Sequence, residues 1–399
     1  MTEMAKIISP VNAAQYAERP YLSEAKAREA VKQASAAQKK WQAMPLAQRV
    51  EILERVVELL DEQRDELAEE LAWQMGRPVS QGGGEVNGFS ERARYMLAIA
   101  PRALADLEMP DKPGFKRYIR RDPVGVVLTI APWNFPYMTA VNTVWPALAA
   151  GNAVLLKHAQ QTLLCAERLQ RVLEQAGLPE GVFQAITLSH DTTAAMLKEP
   201  AIRFVSFTGS VRGGQSIQQA IADSGQFAGT ALELGGKDPA YVRADVDIAD
   251  AAVNLADGAF FNSGQSCCSV ERIYVHQDVY QPFIEALVAE TRKLVLGDPL
   301  KQSTTLGPLV KASAADFVRG QIADAVKAGA KALIQPGEFP EDKPGTAYLA
   351  PQILTGVDHS MRVMTEESFG PVVGIMPVAS DEEAIQLMND SEFGLTASI

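Results

Sequence analysis

Beyond residue 113 the chain is written as short apolar runs, at 124–130, 153–156, 182–186 and 203–207, separated by stretches of helical periodicity such as 162–176 and 191–198. Continuous apolar runs of this length suit strands that are buried on both faces of a parallel sheet, where crossover helices exclude water from either side. Alternation of strand and helix therefore predicts a doubly wound α/β sheet. A second series of the same kind begins near Gly235, with helix at 248–261, strand at 272–276 and helix at 279–295, and a domain boundary is placed there. Ahead of both series, Leu46, Val50, Leu53, Val57 and Leu60 recur at three or four residues, with Pro45 at a helix start, so residues 23–72 read as helical. The run Gln81-Gly82-Gly83-Gly84 predicts a linker before further helix at 85–105: no strand precedes it and no Lys-Ser or Lys-Thr follows, as a phosphate loop requires. Residues 117–121, charged and β-prone, predict an exposed strand or arm.

Composition narrows the class of function. With 399 residues, 47% hydrophobic and 22% charged, the chain has the balance of a soluble globular protein of two or more domains. Its 37 basic against 49 acidic residues leave a net charge of -12, which repels a phosphate backbone or an anionic membrane surface, so neither nucleic acid nor membrane is expected as a partner. The amino-terminal segment carries charges throughout and lacks the apolar core of a secretory signal, and no apolar run approaches the length of a membrane span. The predicted setting is cytoplasmic, where thiols stay reduced. Three cysteines cannot form a disulfide framework, and Cys267 and Cys268, being adjacent, are poor partners for each other. His158, His190, His276 and His359 show no metal-ligand spacing; no metal site is predicted, and each is read as a surface or loop residue.

Four segments hold side chains suited to chemistry. The stretch Phe260-Phe261-Asn262-Ser263-Gly264-Gln265-Ser266-Cys267-Cys268-Ser269 sets two thiols after a glycine in a polar turn before a strand, whereas Cys165 sits inside an apolar run as a structural cysteine does. Taken alone, the pair is open to two readings, a nucleophile or small buried filler. In Ala131-Pro132-Trp133-Asn134-Phe135-Pro136, two prolines fix the backbone around an uncharged amide donor, which suits either an oxyanion or the needs of a tight turn. In Leu232-Glu233-Leu234-Gly235-Gly236-Lys237, a carboxylate stands between two leucines; burial there would raise its pKa and fit it to take a proton from water, the alternative being a salt-bridged strand residue. Phe207-Thr208-Gly209-Ser210-Val211-Arg212-Gly213-Gly214 is a glycine-containing turn between strand and helix, a place where backbone amides hold pyrophosphate, although it lacks the G-x-G-x-x-G spacing.

In wording and order these segments resemble the NAD(P)-dependent aldehyde dehydrogenase superfamily: Asn-Phe-Pro at 134–136, the Gly209-Ser210 turn, Glu-Leu-Gly-Gly-Lys at 233–237, Gly-Gln-Ser-Cys at 264–267 and Glu-Ser-Phe-Gly-Pro at 367–371. Gly297-Asp298-Pro299-Leu300 and Leu306-Gly307-Pro308-Leu309 agree, and the resemblance runs from near Ser23 to the last residue. It implies two doubly wound α/β domains: a Rossmann-like NAD(P)-binding domain at 1–104 and 124–234, and a catalytic domain at 235–399, with a small oligomerisation arm at 105–123. By the same resemblance Cys267 is the nucleophile and Cys268 its neighbour, and Asn134 with the Cys267 backbone N–H stabilises the oxyanion. Glu233 activates the water that hydrolyses the thioester, and a carboxylate at this position favours hydrolysis over transfer to coenzyme A. Lys157 and Trp133 meet the adenosine ribose, Gly209 and Ser210 the pyrophosphate, Glu367 the nicotinamide ribose, and Phe369 its ring. The implied cofactor is NAD or NADP, and the substrate a small aldehyde.

This chain departs from the family pattern twice. Where most members read Lys-Pro-Ser/Ala-Glu, it has Lys157-His158-Ala159-Gln160; a neutral amide in place of the carboxylate repels a 2′-phosphate less, which favours NADP, and a similar Lys-His-Ala run occurs in some semialdehyde-oxidising members. Family chains also continue for several dozen residues beyond the Phe-Gly-Leu-Thr-Ala-Ser at 393–398, completing the catalytic domain and supplying an oligomerisation strand for the arm. A homodimer or homotetramer is expected where that segment is present. Two other readings compete, a catalytically silent dinucleotide-binding protein and an acylating dehydrogenase that requires coenzyme A.

Overall fold

The computed structural model describes residues 3–399 and divides them into two compact units. One comprises the described residues up to Ile7, Ala17–Leu67 and Gly83–Glu233; the other comprises Ile8–Tyr16, Ala68–Gly82 and Leu234–Ile399. Residues 8–16 and 68–82 thus fold with the second unit, although the sequence groups them with the first.

The first unit is built on a five-stranded parallel sheet in the order Phe183–Ala185, Ala153–His158, Val126–Ala131, Ile202–Thr208, Gly229–Glu233. All six residues of the central Val126–Ala131 are buried, as its unbroken apolar run requires. Val126, Leu128 and Ile130 alternate onto the face that packs against Ala27, Ala30, Val31 and Ala34 of helix Glu24–Ala43 and Ile217 and Ile221 of helix Val211–Asp223. Helices Pro136–Ala149 and Leu163–Gln175 pack against the same strands. Residues 23–72 resolve into three helices, Glu24–Ala43, Leu46–Glu62 and Arg64–Met75; Ser23 caps the first by accepting from the Lys26 N–H, and Pro45 opens the second. A two-stranded sheet of Met4–Ile8 and Gln15–Pro20, which no sequence pattern announced, precedes them. Within the segment 117–121, Tyr118–Ile119 is an exposed strand, paired antiparallel with Leu107–Glu108.

Gly82, Gly83 and Gly84 do not form a linker. They lie inside the helix Val79–Ala103, and the reason is close packing. A Cβ on Gly82 would stand 2.5 Å from the Ala68 Cβ, and one on Gly88 in the same helix 2.2 Å from the Met138 sulfur. Each glycine costs a helix roughly 1 kcal/mol against alanine, and the approach it permits compensates at these two positions; Gly84 meets nothing and is unexplained.

In the second unit, Asp238–Val242, Val270–His276, Val372–Val378 and Gln352–Thr355 form a parallel sheet in that order, closed by the antiparallel Lys331–Ala332. Helices Ile248–Phe260 and Tyr280–Thr291 bury Ala252, Ala259, Phe283 and Leu287 against Ile273, Val275, Val373 and Ile375. Residues at the end of the chain lie parallel along Asp238–Val242: Tyr241 N–H donates to the Ser398 carbonyl, and Ser398 N–H to that of Pro239. Among the described residues no helix is long and apolar enough to cross a membrane.

Candidate active site

In the first unit every predicted site residue falls at the carboxyl edge of the parallel sheet. Chain order reverses on either side of Val126–Ala131, and in sheets of this kind the crevice outside the carboxyl ends at that reversal is where ligands bind. The central strand runs into the loop holding Trp133, half-buried, and Asn134, which is 5% exposed; Pro136 then starts helix Pro136–Ala149. Next to it, Ile202–Thr208 ends in Gly209 and Ser210. The Ser210 hydroxyl caps helix Val211–Asp223 by accepting from the Gly213 N–H at 3.1 Å, and a Cβ on Gly209 or Gly213 would stand 2.6 or 2.7 Å from the Phe207 ring. The turn is therefore folded flat on Phe207 and needs glycine at both places. Gly209 N–H in turn donates to the carbonyl of Glu233 on the neighbouring strand.

On the other side of the central strand, Lys157 lines a cavity of about 230 Å³ together with Tyr21, Gln160, Glu167 and Thr187. Among the described residues no carboxylate forms an ion pair with its ammonium, and burial lowers its pKa. A partly buried cation of this kind suits an anionic group on a ligand. Gln160 is fully engaged with protein, since its carbonyl accepts from the Tyr21 hydroxyl and its amide donates to the Lys6 carbonyl.

Two expectations fail here. Glu233 is not buried between its leucines. Gly229–Glu233 is the edge strand, its five residues are exposed or half-exposed, and Glu233 itself is exposed. His158 is no surface residue either: it is 4% exposed at the end of Ala153–His158, and burial lowers its pKa to about 4.

In the second unit the predicted residues gather at the amino ends of the strands. Cys267 follows a turn in which Asn262, Ser263 and Gly264 all take the left-handed conformation, with φ of 53°, 58° and 69°. For the two residues with side chains this costs roughly 1–2 kcal/mol each, and the surroundings hold them there. Arg77 donates to the side-chain Oδ1 of Asn262, Ser263 to the Gly307 carbonyl, and the buried Gln265 accepts from Val310 N–H while donating to the Asn262 backbone carbonyl. The result is a half-exposed thiol on a rigid backbone. A hydrogen bond shared with the Cys268 thiol, followed by burial, pushes the Cys267 pKa up, so in this arrangement it rests as a thiol.

The Gly-Gly pair of the 233–237 segment has a steric meaning. A Cβ on Gly235 would stand 2.1 Å from a Glu367 carboxylate oxygen, and one on Gly236 2.8 Å from the Cys267 carbonyl. At Gly236 the neighbour is backbone that cannot give way, whereas a side chain at Gly235 would push the Glu367 carboxylate aside. Gly236 N–H donates to Glu367 at 3.2 Å. Beneath lies a buried pair that the sequence analysis passed over, in which Lys237 Nζ donates to Glu271 and to the Ser368 hydroxyl while Glu271 accepts the backbone N–H groups of Ser368 and Phe369. This carboxylate holds Phe369 at a left-handed φ of 50°. The available signal was Glu271-Arg272, two charges side by side in an otherwise apolar strand, each at most 2% exposed.

Burial, with Glu271 nearby, raises the Glu367 pKa to about 7. Protonated below that pH and charged above it, Glu367 would, if it meets the nicotinamide ribose as the family resemblance implies, accept hydrogen bonds from the ribose hydroxyls better as pH rises. Cofactor affinity is therefore expected to increase through about pH 7, and the step to disappear in Glu367→Gln; a titration by intrinsic fluorescence at pH 6 to 8 reads both. A pH-independent affinity in the parent protein would contradict the expectation.

A sequence model of the aldehyde dehydrogenase family matches residues 1–399. The 3,6-anhydro-alpha-L-galactose dehydrogenase of Streptomyces coelicolor is 35% identical over 395 residues, which is 98% of this chain and 80% of that protein. The NADP(+) succinate-semialdehyde dehydrogenase of Mycobacterium avium is 37% identical over 352 residues, 88% of this chain and 73% of that one. Among solved structures, the NADP-dependent glyceraldehyde-3-phosphate dehydrogenase of Bacillus halodurans in complex with NADP superposes with a TM-score of 0.92 at 32% identity, covering 100% of this chain and 82% of that one. An indole-3-acetaldehyde dehydrogenase complexed with NAD+ gives 0.92 at 31% identity, covering 99% and 80%. With this fold and these sites, the chain belongs to the aldehyde dehydrogenase family. It is an NAD(P)-dependent oxidoreductase that converts a small-molecule aldehyde to the carboxylic acid.

Proposed function

We propose that Cys267 is the nucleophile, that Asn134 and the Cys267 backbone N–H stabilise the oxyanion formed when sulfur adds to the aldehyde carbon, and that Glu233 deprotonates the water that cleaves the resulting thioester. The observation that carries this reading is the left-handed turn at 262–264, which spends conformational energy to set one thiol on a fixed backbone. Asn134 donates without bringing charge, so it favours the tetrahedral oxyanion over the neutral carbonyl. An exposed Glu233 keeps access to water, which suits a base acting in the second half of the reaction. Bound NAD(P)+ supplies the two-electron acceptor. Trp133, Lys157, Gly209 and Ser210 hold its adenosine and pyrophosphate end, and Glu367 and Phe369 its nicotinamide end. On this reading the first unit is the cofactor domain, the second the catalytic domain, and 105–123 the oligomerisation arm of a cytoplasmic homodimer or homotetramer.

NADP is the preferred cofactor and a semialdehyde the substrate class. Supporting the first are the unpaired Lys157 and the absence of a carboxylate at 160, with both ends of the Gln160 amide committed elsewhere; supporting the second are the succinate-semialdehyde dehydrogenases among the relatives. Initial rates over a panel of aldehydes and semialdehydes, with NAD and NADP side by side and with or without coenzyme A, test all three points. Turnover is expected without coenzyme A, with kcat/KM roughly tenfold higher for NADP, the worth of one charged hydrogen bond. A strict requirement for coenzyme A would overturn the hydrolytic reading.

A further inference from the structure

The backbone on either side of Asn134 is fastened by groups that have no part in the proposed chemistry. Before it, the Ala131 carbonyl accepts from Ala159 N–H. Beyond it, two consecutive peptide units are held from two directions. Glu85, 1% exposed, accepts the N–H groups of Tyr137 and Met138, both at 2.9 Å, and so caps a helix whose own N-cap residue, Phe135, supplies no side-chain bond. His158 meets the Pro136 carbonyl through Nε2 at 3.1 Å and the Thr162 hydroxyl through Nδ1 at 3.0 Å. A carbonyl can only accept, so Nε2 carries the proton and Nδ1 takes the hydroxyl's hydrogen, which is the neutral tautomer. Burial keeps the ring in that form. Residues 132–135 thus span two anchored ends.

The glycine-bearing helix Val79–Ala103 makes the Glu85 contact possible. Glu85 and Gly88 are three residues apart on one helical face, and Gly88 is the position where any side chain would strike Met138. The missing Cβ brings the helix close enough for the carboxylate to reach the two amides. At position 158, where the family commonly has proline, this chain has a side chain that reaches the following turn.

We propose that Glu85 and His158 are positioning residues that fix the side-chain amide of Asn134 at the point where the oxyanion develops. This rests on reading Asn134 as the oxyanion donor, and it assigns the selectivity of the effect: loosening the loop weakens the transition state and leaves substrate and cofactor binding alone.

The test is a double-mutant cycle on the full chain. Asn134→Ala alone is expected to lower kcat by about 10²–10³-fold. Glu85→Leu is expected to lower kcat roughly tenfold, as a displaced donor does, with aldehyde KM and the cofactor Kd, read by fluorescence quenching, within about twofold of the parent. Glu85→Gln, which keeps an acceptor, should recover most of that loss. In the Asn134→Ala background, Glu85→Leu should cost less than about twofold, because nothing remains to be positioned. His158→Leu removes the tie to the Pro136 carbonyl, together with the bond to the Thr162 hydroxyl, and should show the same dependence on Asn134, which keeps the proposal falsifiable if Glu85→Leu does not fold. Equal losses in both backgrounds would mean a general structural role and overturn it. Parental kcat in Asn134→Ala would instead overturn the oxyanion reading itself, a result distinguishable because it appears in the single variant.

Discussion

Cys267→Ser is expected to lower kcat for aldehyde oxidation by about 10⁴-fold or more while NAD(P) affinity and thermal stability stay at the parent's level. A hydroxyl in place of the thiol occupies nearly the same space, so the turn at 262–264 and its anchors at Arg77, Gly307 and Val310 are undisturbed. The chemistry suffers because a serine hydroxyl is a far weaker nucleophile than a thiol unless a dedicated base accompanies it, and loss of a covalent nucleophile ranks among the most damaging active-site changes. The thiol itself starts at a disadvantage, since Cys268 and burial both disfavour its ionised form. Steady-state rates, a cofactor titration and a melting curve on the same preparation decide the matter; turnover within tenfold of the parent would sink the assignment.

Glu233→Gln is expected to cut steady-state turnover by roughly 10²–10³-fold, in the range of a lost general base, and to leave the first-turnover burst of reduced cofactor nearly intact. The asymmetry follows from the proposed roles. The first half of the reaction needs sulfur and an oxyanion donor; only the second needs an activated water. Because Glu233 is exposed at the end of an edge strand, the substitution disturbs no packing, and a difference between burst and steady state cannot be attributed to misfolding. Stopped-flow mixing resolves the two phases, and equal slowing of both would remove Glu233 from the base role.

The α/β architecture was legible because parallel strands buried on both faces leave a plain mark: the runs predicted at 124–130, 153–156 and 203–207 appear as Val126–Ala131, Ala153–His158 and Ile202–Thr208. Adjacency at a sheet edge is a weaker signal. Nothing local distinguishes leucines flanking Glu233 on an edge strand from leucines flanking a buried acid, so the sequence misled on burial. The glycines at 82–84 misled for a related reason, since helix propensity is local while the partner that rewards Gly82, Ala68, lies elsewhere in the chain. His158 was read as a surface residue because its two hydrogen-bond partners, Pro136 and Thr162, become neighbours only when strand and helix are in place. Motif wording led to Gly235 and Gly236 without disclosing their purpose, which is the nearness of Glu367 and of the Cys267 carbonyl. Glu271 and Glu85 were missed because a single carboxylate in a strand or helix pattern looks the same whether it faces water or a row of backbone amides.

The union of Lys237 with Glu271 bears on how this protein can diverge. With side chains 0% and 2% exposed, removing either partner strands the other in a medium that cannot solvate it, at a penalty of about 3–5 kcal/mol, a large part of the roughly 5–15 kcal/mol that keeps a typical fold intact. Descendants that alter one position alone are thus exposed to elimination before any catalytic novelty is judged. A change at one position thus calls for a matching change at the other, and the loop bearing Phe369, whose backbone Glu271 holds, shares that constraint.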